Sequence, residues 1–449
     1  MDGSHEQMKL KGWGTAFVLA SSFWCISFQF IPVATLSGLT IKIQYLFLAA
    51  LLVHTLLNRA RAQNFKVGLP QFIEVLIWFY VATSAGWLIN ALLISPHDDF
   101  ARLFAEHVLV IPLLLMTFSF FRRRFRLEYR LLTRVSMLFI LMSALGIMYL
   151  AELSDVSLTQ VVRKYLAGEG TLQFLLFRKI YEGTGGESSA ARHTMMYLFF
   201  LLAAFLRCAR LAEARTPKPF SIEPLELILI ALVVFVGVSR KVTLTLIIFY
   251  ALCLALEYRH LGSAMSDRYK VWLTTGVLSA LVVGAATIVY LPSAVTASLQ
   301  DRYIVDVLNN SRIYQFGLVF DETLASLGTA LTGVGLGPKV SNGHHAHNLV
   351  LFFLHQGGLF LGLLASALLL YTIKLLWNSY ELSRDPAQWT VWMKMASVAC
   401  FLIVLTRFGV GNKGELAIVG LVSIALAATL LEQAQGLRRV DSTKPVSQT

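Results

Sequence analysis

SNGHHAHNLVLFFLHQGGLFLGLLASALLLYTI, residues 341–373, runs from a polar cluster straight into 25 residues without Asp, Glu, Lys or Arg. About 20 predominantly apolar residues in a helix span the ~30 Å hydrocarbon core of a bilayer, so this stretch predicts a membrane helix over 347–373. The same pattern recurs along the chain. Apolar runs at about 14–35, 42–57, 71–94, 103–121, 133–151, 193–207, 223–238, 242–257, 271–291, 390–406 and 415–431 complete a set of twelve candidate spans.

Of the 449 residues 56% are hydrophobic and 14% charged, against roughly half apolar and a quarter charged in soluble domains. No period-2 alternation points to a barrel. The expected fold class is an all-α polytopic membrane protein, with residues 1–431 as one transmembrane domain and 432–449 as a polar cytoplasmic tail. The first run has no small-residue cleavage site behind it and reads as a retained helix.

The formal net charge of +12 is placed as a topology signal. Lys9, Lys11, Arg59, the Arg122–Arg130 cluster, Arg207, Arg259, Lys374 and Arg438 all fall on one side if the N-terminus is cytoplasmic, which puts both termini inside. No basic and aromatic surface or binding motif supports nucleic acid as a partner. The four cysteines, Cys25, Cys208, Cys253 and Cys400, show no paired spacing and imply neither disulfides nor zinc. Few ionisable residues interrupt the spans beyond Glu74 and Glu226.

Two outer segments are long, about 152–192 and 292–346, and are expected to cap the outer membrane surface. In the second, Asp301–Leu308 and Ser311–Leu327 read as short amphipathic helices before a glycine turn, Gly333-Val-Gly-Leu-Gly337. That turn follows no strand and has no Walker lysine, so it is no nucleotide loop; its glycines let the backbone turn tightly below the histidine segment.

Basic residues on the outer side stand against the topology trend. Arg240 and Lys241 cap a very tight hairpin, GVSRKVTLTL at 237–246, Arg192 sits where the first long loop meets a helix, and Arg312 lies in the second loop. Guanidinium groups so placed grip a diphosphate bidentately or snorkel to lipid headgroups; sequence leaves both readings open. His344, His345 and His347 lack i,i+4 spacing and a nearby Cys or carboxylate, so no metal site is expected. His347 and Asn348 either cap the free N–H groups of the helix that follows or serve it chemically. A neutral imidazole near arginines at a helix start accepts a proton near neutral pH, which makes His347 the candidate base.

Ser239-Arg240-x-x-x-Leu244, then Arg312, then GVGLG, then His347-Asn348 with nine residues to Gly358 resembles the O-antigen ligase and Wzy polymerase superfamily over roughly residues 185–375. The resemblance implies a GT-C-like fold and a metal-independent, cofactor-free inverting glycosyltransferase of the bacterial inner membrane, active on the periplasmic face. It would take a glycan from undecaprenyl diphosphate and pass it to an acceptor glycan, as a polymerase, or to lipid A core, as a ligase. A chain-length regulator is a further partner of such enzymes. On this resemblance Arg240 binds the donor diphosphate, Arg192 assists, and His347 activates the acceptor hydroxyl, with Arg312, Lys241, Asn348 and His345 around the substrate. Gly358-Leu-Phe is followed by Leu361, with the glycine at Gly362, one place later than the ligase pattern, which favours polymerase. Twelve helices with both ends inside also fit a secondary transporter, the reading of a different class.

Overall fold

A computed structural model of the chain describes residues 3–28, 32–36, 39–42, 71–93, 97–98, 100–101, 104, 108, 129–167, 169, 173–180, 188–213, 222–236, 246–247, 249–251, 253, 311–338, 340–341 and 349–382. α-Helix predominates among them. The chain divides into two compact units, one of residues 1–44 with 127–310 and one of 45–126 with 311–449.

In the first unit α1 (Gly3–Ser27) precedes a small hairpin, β1 (Pro32–Leu36) paired antiparallel with β2 (Leu39–Lys42). The span expected at 14–35 is corrected at this point, and the one expected at 42–57 does not include Lys42, which lies in β2: Pro32 cannot continue a helix, and β-branched Val33, Thr35, Thr40 and Ile41 suit strands. The rest of 42–57 lies outside the described residues.

Helices α3 (Tyr129–Leu153), α4 (Leu158–Leu166) and α5 (Ser188–Glu213) follow, with α2 belonging to the second unit. A π-helical turn, Gln173–Arg178, lies between α4 and α5, so the outer segment at 152–192 contains ordered helix. Asp155, at φ 52°, closes α3, and the Ser157 hydroxyl caps α4. Next comes α6 (Pro224–Ala231), which runs into a second π-helical stretch, Leu232–Val236.

α3 is apolar on its exposed face as well as on its buried one. Ser136, Ser143 and Gly146 are buried with Leu132, Val135 and Phe139, and α1 and α5 pack on that side. The Phe28 ring lies directly on Gly146. Met137, Leu141, Leu145 and Met148 are exposed, at helical spacing. Small and hydroxylated residues inside with large apolar residues outside is the pattern of a helix whose solvent is lipid. On α5 every residue from Met195 to Leu206 is buried, as suits a helix surrounded by others.

In the second unit α2 (Gln71–Leu93) packs against α9 (Leu349–Leu382). The Trp87 ring stacks on Phe353 at 5.5 Å, and Phe79 meets Phe353 edge-on at 5.1 Å. α7 (Ser311–Thr323) and α8 (Leu327–Thr332) also pack on α9. The helix expected at 311–327 thus divides in two, because Ser326 caps α8 in a reciprocal Ser326/Thr329 capping box that starts a new helix.

The helix expected over 347–373 is broken. Gly358 has φ 70° and ψ −168°, a conformation that only glycine adopts readily. The two halves fold toward each other at that point: a β-carbon on Gly362 would lie 3.1 Å from the Leu354 Cβ. In a straight helix residues eight apart are about 12 Å apart.

Tyr129–Leu153 is long and apolar enough to cross a membrane by length and composition; Val350–Tyr371 has a matching length and composition but is interrupted at Gly358, and Ile77–Leu93, Met195–Arg207 and Pro224–Val234 are shorter apolar helices. The span at 103–121 is represented by isolated residues, as is 242–257. Those expected at 271–291, 390–406 and 415–431, the short helix at 301–308 and the tail lie outside the described residues.

Candidate functional site

The glycine turn is where the second unit concentrates its polar chemistry. Gly333, Gly335 and Gly337 have φ of 73°, 93° and 120°, so the expectation of a tight backbone turn holds, for the reason anticipated. The Gly333 backbone lies against Gly357 and Gly358, with Gly358 against the Leu331 carbonyl. Two backbones approach here at a separation that a single β-carbon on either side would prevent.

Irregular backbone buried in this way needs partners for its polar groups. The Asn90 side-chain amide, on α2, donates to the Thr332 carbonyl and, at 3.4 Å, to that of Gly333. Val334 N–H donates to the His355 carbonyl at 2.8 Å. The Gln356 amide donates to the Pro338 carbonyl at 3.2 Å. The His97 ring, just beyond α2, lies over Gly337.

Nearby sits a partly buried carboxylate–imidazole brace. Glu322, on α7, accepts the Ser341 N–H at 2.7 Å with one oxygen, and its other oxygen lies 2.8 Å from His355 Nε2 on α9. Partial burial by itself would raise the Glu322 carboxyl; the Ser341 and His355 hydrogen bonds outweigh it and hold the group below the usual carboxylate range. A carboxylate only accepts, so Nε2 carries the proton. Because His355 is 2% exposed and its Nε2 is turned to Glu322, it is built as a brace and not as a base open to substrate.

The brace bears directly on the histidine segment. Ser341 is held to Glu322, Glu322 to His355, and His355 belongs to the same helix that residues 342–348 lead into. Both ends of a seven-residue segment bearing His344, His345 and His347 are therefore fixed to one cluster.

His345, His347 and Asn348 themselves lie outside the described residues, as do Arg240 and Lys241. Arg192 is the fifth residue of α5 and Arg312 the second of α7, so Arg192 stands one turn inside its helix, which begins at Ser188, and not at the junction with the loop; the side chains of both lie outside the described set. Among the described residues no group of three His, Cys, Asp or Glu could hold a metal ion.

Sequence reasoning missed Asn90, His97, Glu322, His355 and Gln356. Glu322 and His355 are 33 positions apart, so only the tertiary fold pairs them. It also took Arg207 for a topology cation. Arg207 Nη1 instead lies 3.2 Å from Glu226 Oε1 with both side chains 1% exposed, and the Tyr250 hydroxyl donates to the same oxygen at 2.6 Å. That cluster ties α5 to α6, in the first unit. Buried charge survives there only because it is paired and hydrogen-bonded.

No family model matches the chain, and no curated protein matches it.

Proposed function

We propose that this protein is a periplasm-facing glycosyltransferase of the bacterial inner membrane, moving a glycan from undecaprenyl diphosphate to an acceptor glycan as a polysaccharide polymerase. The carrying observation is the ordered set Ser239-Arg240, Arg312, Gly333–Gly337, His347-Asn348 and Gly358, together with the brace that fixes both ends of the histidine segment. A catalytic base needs to be held in position, and Glu322 ties Ser341, which precedes the histidine segment, to His355 on the helix that follows it. Twelve spans of a GT-C-like fold, with two long periplasmic loops, are part of the same reading.

In this mechanism Arg240 and Arg192 neutralise the donor diphosphate, which makes it a good leaving group without a metal. His347 takes the proton of the acceptor hydroxyl, and that oxygen displaces the lipid diphosphate in line, with inversion at the sugar carbon. Arg312, Lys241, Asn348 and His345 border the substrate. Ligation to lipid A core uses the same donor chemistry and differs in the acceptor alone. Leu361, which stands where the ligase pattern has glycine, is 1% exposed and packs against Gly86 and Gly357; the shift to Gly362 favours polymerase.

Secondary transport is favoured by one observation, the helix break at Gly357-Gly358, since transporters build substrate sites on discontinuous helices. Purified protein in chelator-containing buffer, given undecaprenyl-diphosphate repeat unit with and without lipid A core, separates these readings. A ladder from donor alone marks a polymerase, and a single product requiring core marks a ligase. His347→Ala is expected to lower the rate by about 10²–10⁴-fold, the usual contribution of a positioned base. No product in either lane sinks the enzyme reading and leaves transport, whereas full activity in the variant takes the base role away from His347.

A further inference from the structure

The α7–α8 segment lies in the outer segment expected to cap the membrane surface. Around exposed Ser326, Leu324, Leu327 and Leu331 are all exposed, Leu327 at 78%. A water-facing cap would carry polar residues there.

Two contacts fix where α8 sits. Its last residue, Thr332, is bonded through its carbonyl to Asn90, less than one helical turn from the end of α2, where Leu92 is 86% exposed. Its Leu331 carbonyl lies against Gly358, directly before Leu359 and Phe360, which α9 also exposes. α8 thus lies beside exposed Leu92, near the end of α2, and exposed Leu359 and Phe360, just after the break in α9.

Those two helices expose apolar rows because lipid is their solvent in a membrane-spanning chain. In the irregular stretch 333–338, Gly333, Gly335 and Leu336 are buried, and the Thr332, Gly333, Val334 and Pro338 groups find protein partners, as hydrocarbon requires of non-helical backbone. A loop standing in water would have no such need.

We propose that α8 is seated in the outer leaflet, with Leu324, Leu327 and Leu331 against the acyl chains of bulk bilayer lipid, so that the loop re-enters the membrane edge beside the helix break. This rests on the chain being a membrane protein and not on its being a glycosyltransferase. The bound partner is lipid hydrocarbon, and the polar end of the segment, with Asp321 exposed, is left in water.

The full-length chain with Cys25, Cys208, Cys253 and Cys400 replaced by alanine, carrying single Leu327→Cys or Leu331→Cys changes, is labelled with a bimane fluorophore. It is reconstituted in phosphatidylethanolamine and phosphatidylglycerol vesicles containing 5-doxyl phosphatidylcholine. Asp321→Cys serves as the water-facing control and Leu141→Cys, on α3, as the lipid-facing one; Leu324→Cys replaces any variant that does not elute as a single species. Both leucine positions should lose fluorescence to doxyl lipid as Leu141→Cys does, and resist iodide where Asp321→Cys does not. Iodide quenching equal to that of Asp321→Cys, without doxyl quenching, overturns the proposal while the membrane reading stands. Doxyl quenching relieved by added polyprenyl phosphate assigns the surface to a prenyl chain and overturns it too. Absence of doxyl quenching at Leu141→Cys removes the membrane reading and this inference with it.

Discussion

Glu322 has two tasks, one for each oxygen: it stops the Ser341 amide from being an orphan donor, and it turns the His355 imidazole. Glu322→Gln keeps the size and one acceptor but gives up the charge, and a hydrogen bond to a charged group contributes about 1.5–3 kcal/mol. Melting in detergent should therefore fall by about 2–4 °C for a chain of this size. The pH dependence follows from the direction of the shift. A carboxyl held below its unfolded value stabilises fully above the unfolded value, near 4.3, and loses that contribution as pH falls through the folded one. The difference in melting temperature between wild type and Glu322→Gln should be constant above about pH 5.5 and shrink in acid. A difference that is flat down to pH 3, or that grows in acid, contradicts the brace. None of this pairing is legible in sequence, because FDET and LHQG carry no spacing signal for a contact across 33 residues.

At the scale of elements, long apolar runs were readable and irregular junctions were not. α2 and α3 fall where their runs predict, 71–94 against Gln71–Leu93 and 133–151 against Tyr129–Leu153, because a bilayer-length helix needs only composition and period. The missed junctions, Pro32 and Gly357-Gly358, each carry residues that break helices, yet they stand inside runs apolar enough to hide them. Gly358 counted in sequence as a spacing mark, whereas its φ of 70° and contact with the Leu331 carbonyl make it the corner on which α9 turns. Gly358→Ala would force an L residue into a region that costs about 1–3 kcal/mol and press its β-carbon into backbone that cannot yield. Gly317, in the middle of α7, has open space around it, and Gly317→Ala should gain about 0.5–1 kcal/mol from helix propensity. Limited proteolysis of both variants in detergent checks the contrast: faster cleavage for Gly358→Ala, equal or slower for Gly317→Ala. A tolerated Gly358→Ala means that the corner is no corner.

For the whole molecule the question is which parts cross the membrane, and α3 is the helix on which it turns. Its sequence alone says apolar and long; its packing adds that serines and a glycine face inward while Met137, Leu141, Leu145 and Met148 face out, an arrangement that would be unfavourable in water. The charge pattern assigns its direction. The cluster Arg122-Arg123-Arg124-Phe125-Arg126 precedes it and the segment with α4 follows, so α3 should run from cytoplasm to periplasm. Fusions truncated at two points test the crossing, since α3 is the one predicted span between them. Alkaline phosphatase joined after Arg126 should be inactive, because it folds only outside the cytoplasm, and joined after Ala167 it should be active. Green fluorescent protein after Gly436 should fluoresce, consistent with an even number of spans between the two termini. Phosphatase that is active at both sites or at neither would mean that α3 does not cross. The exposed apolar face would then need a protein partner in place of lipid.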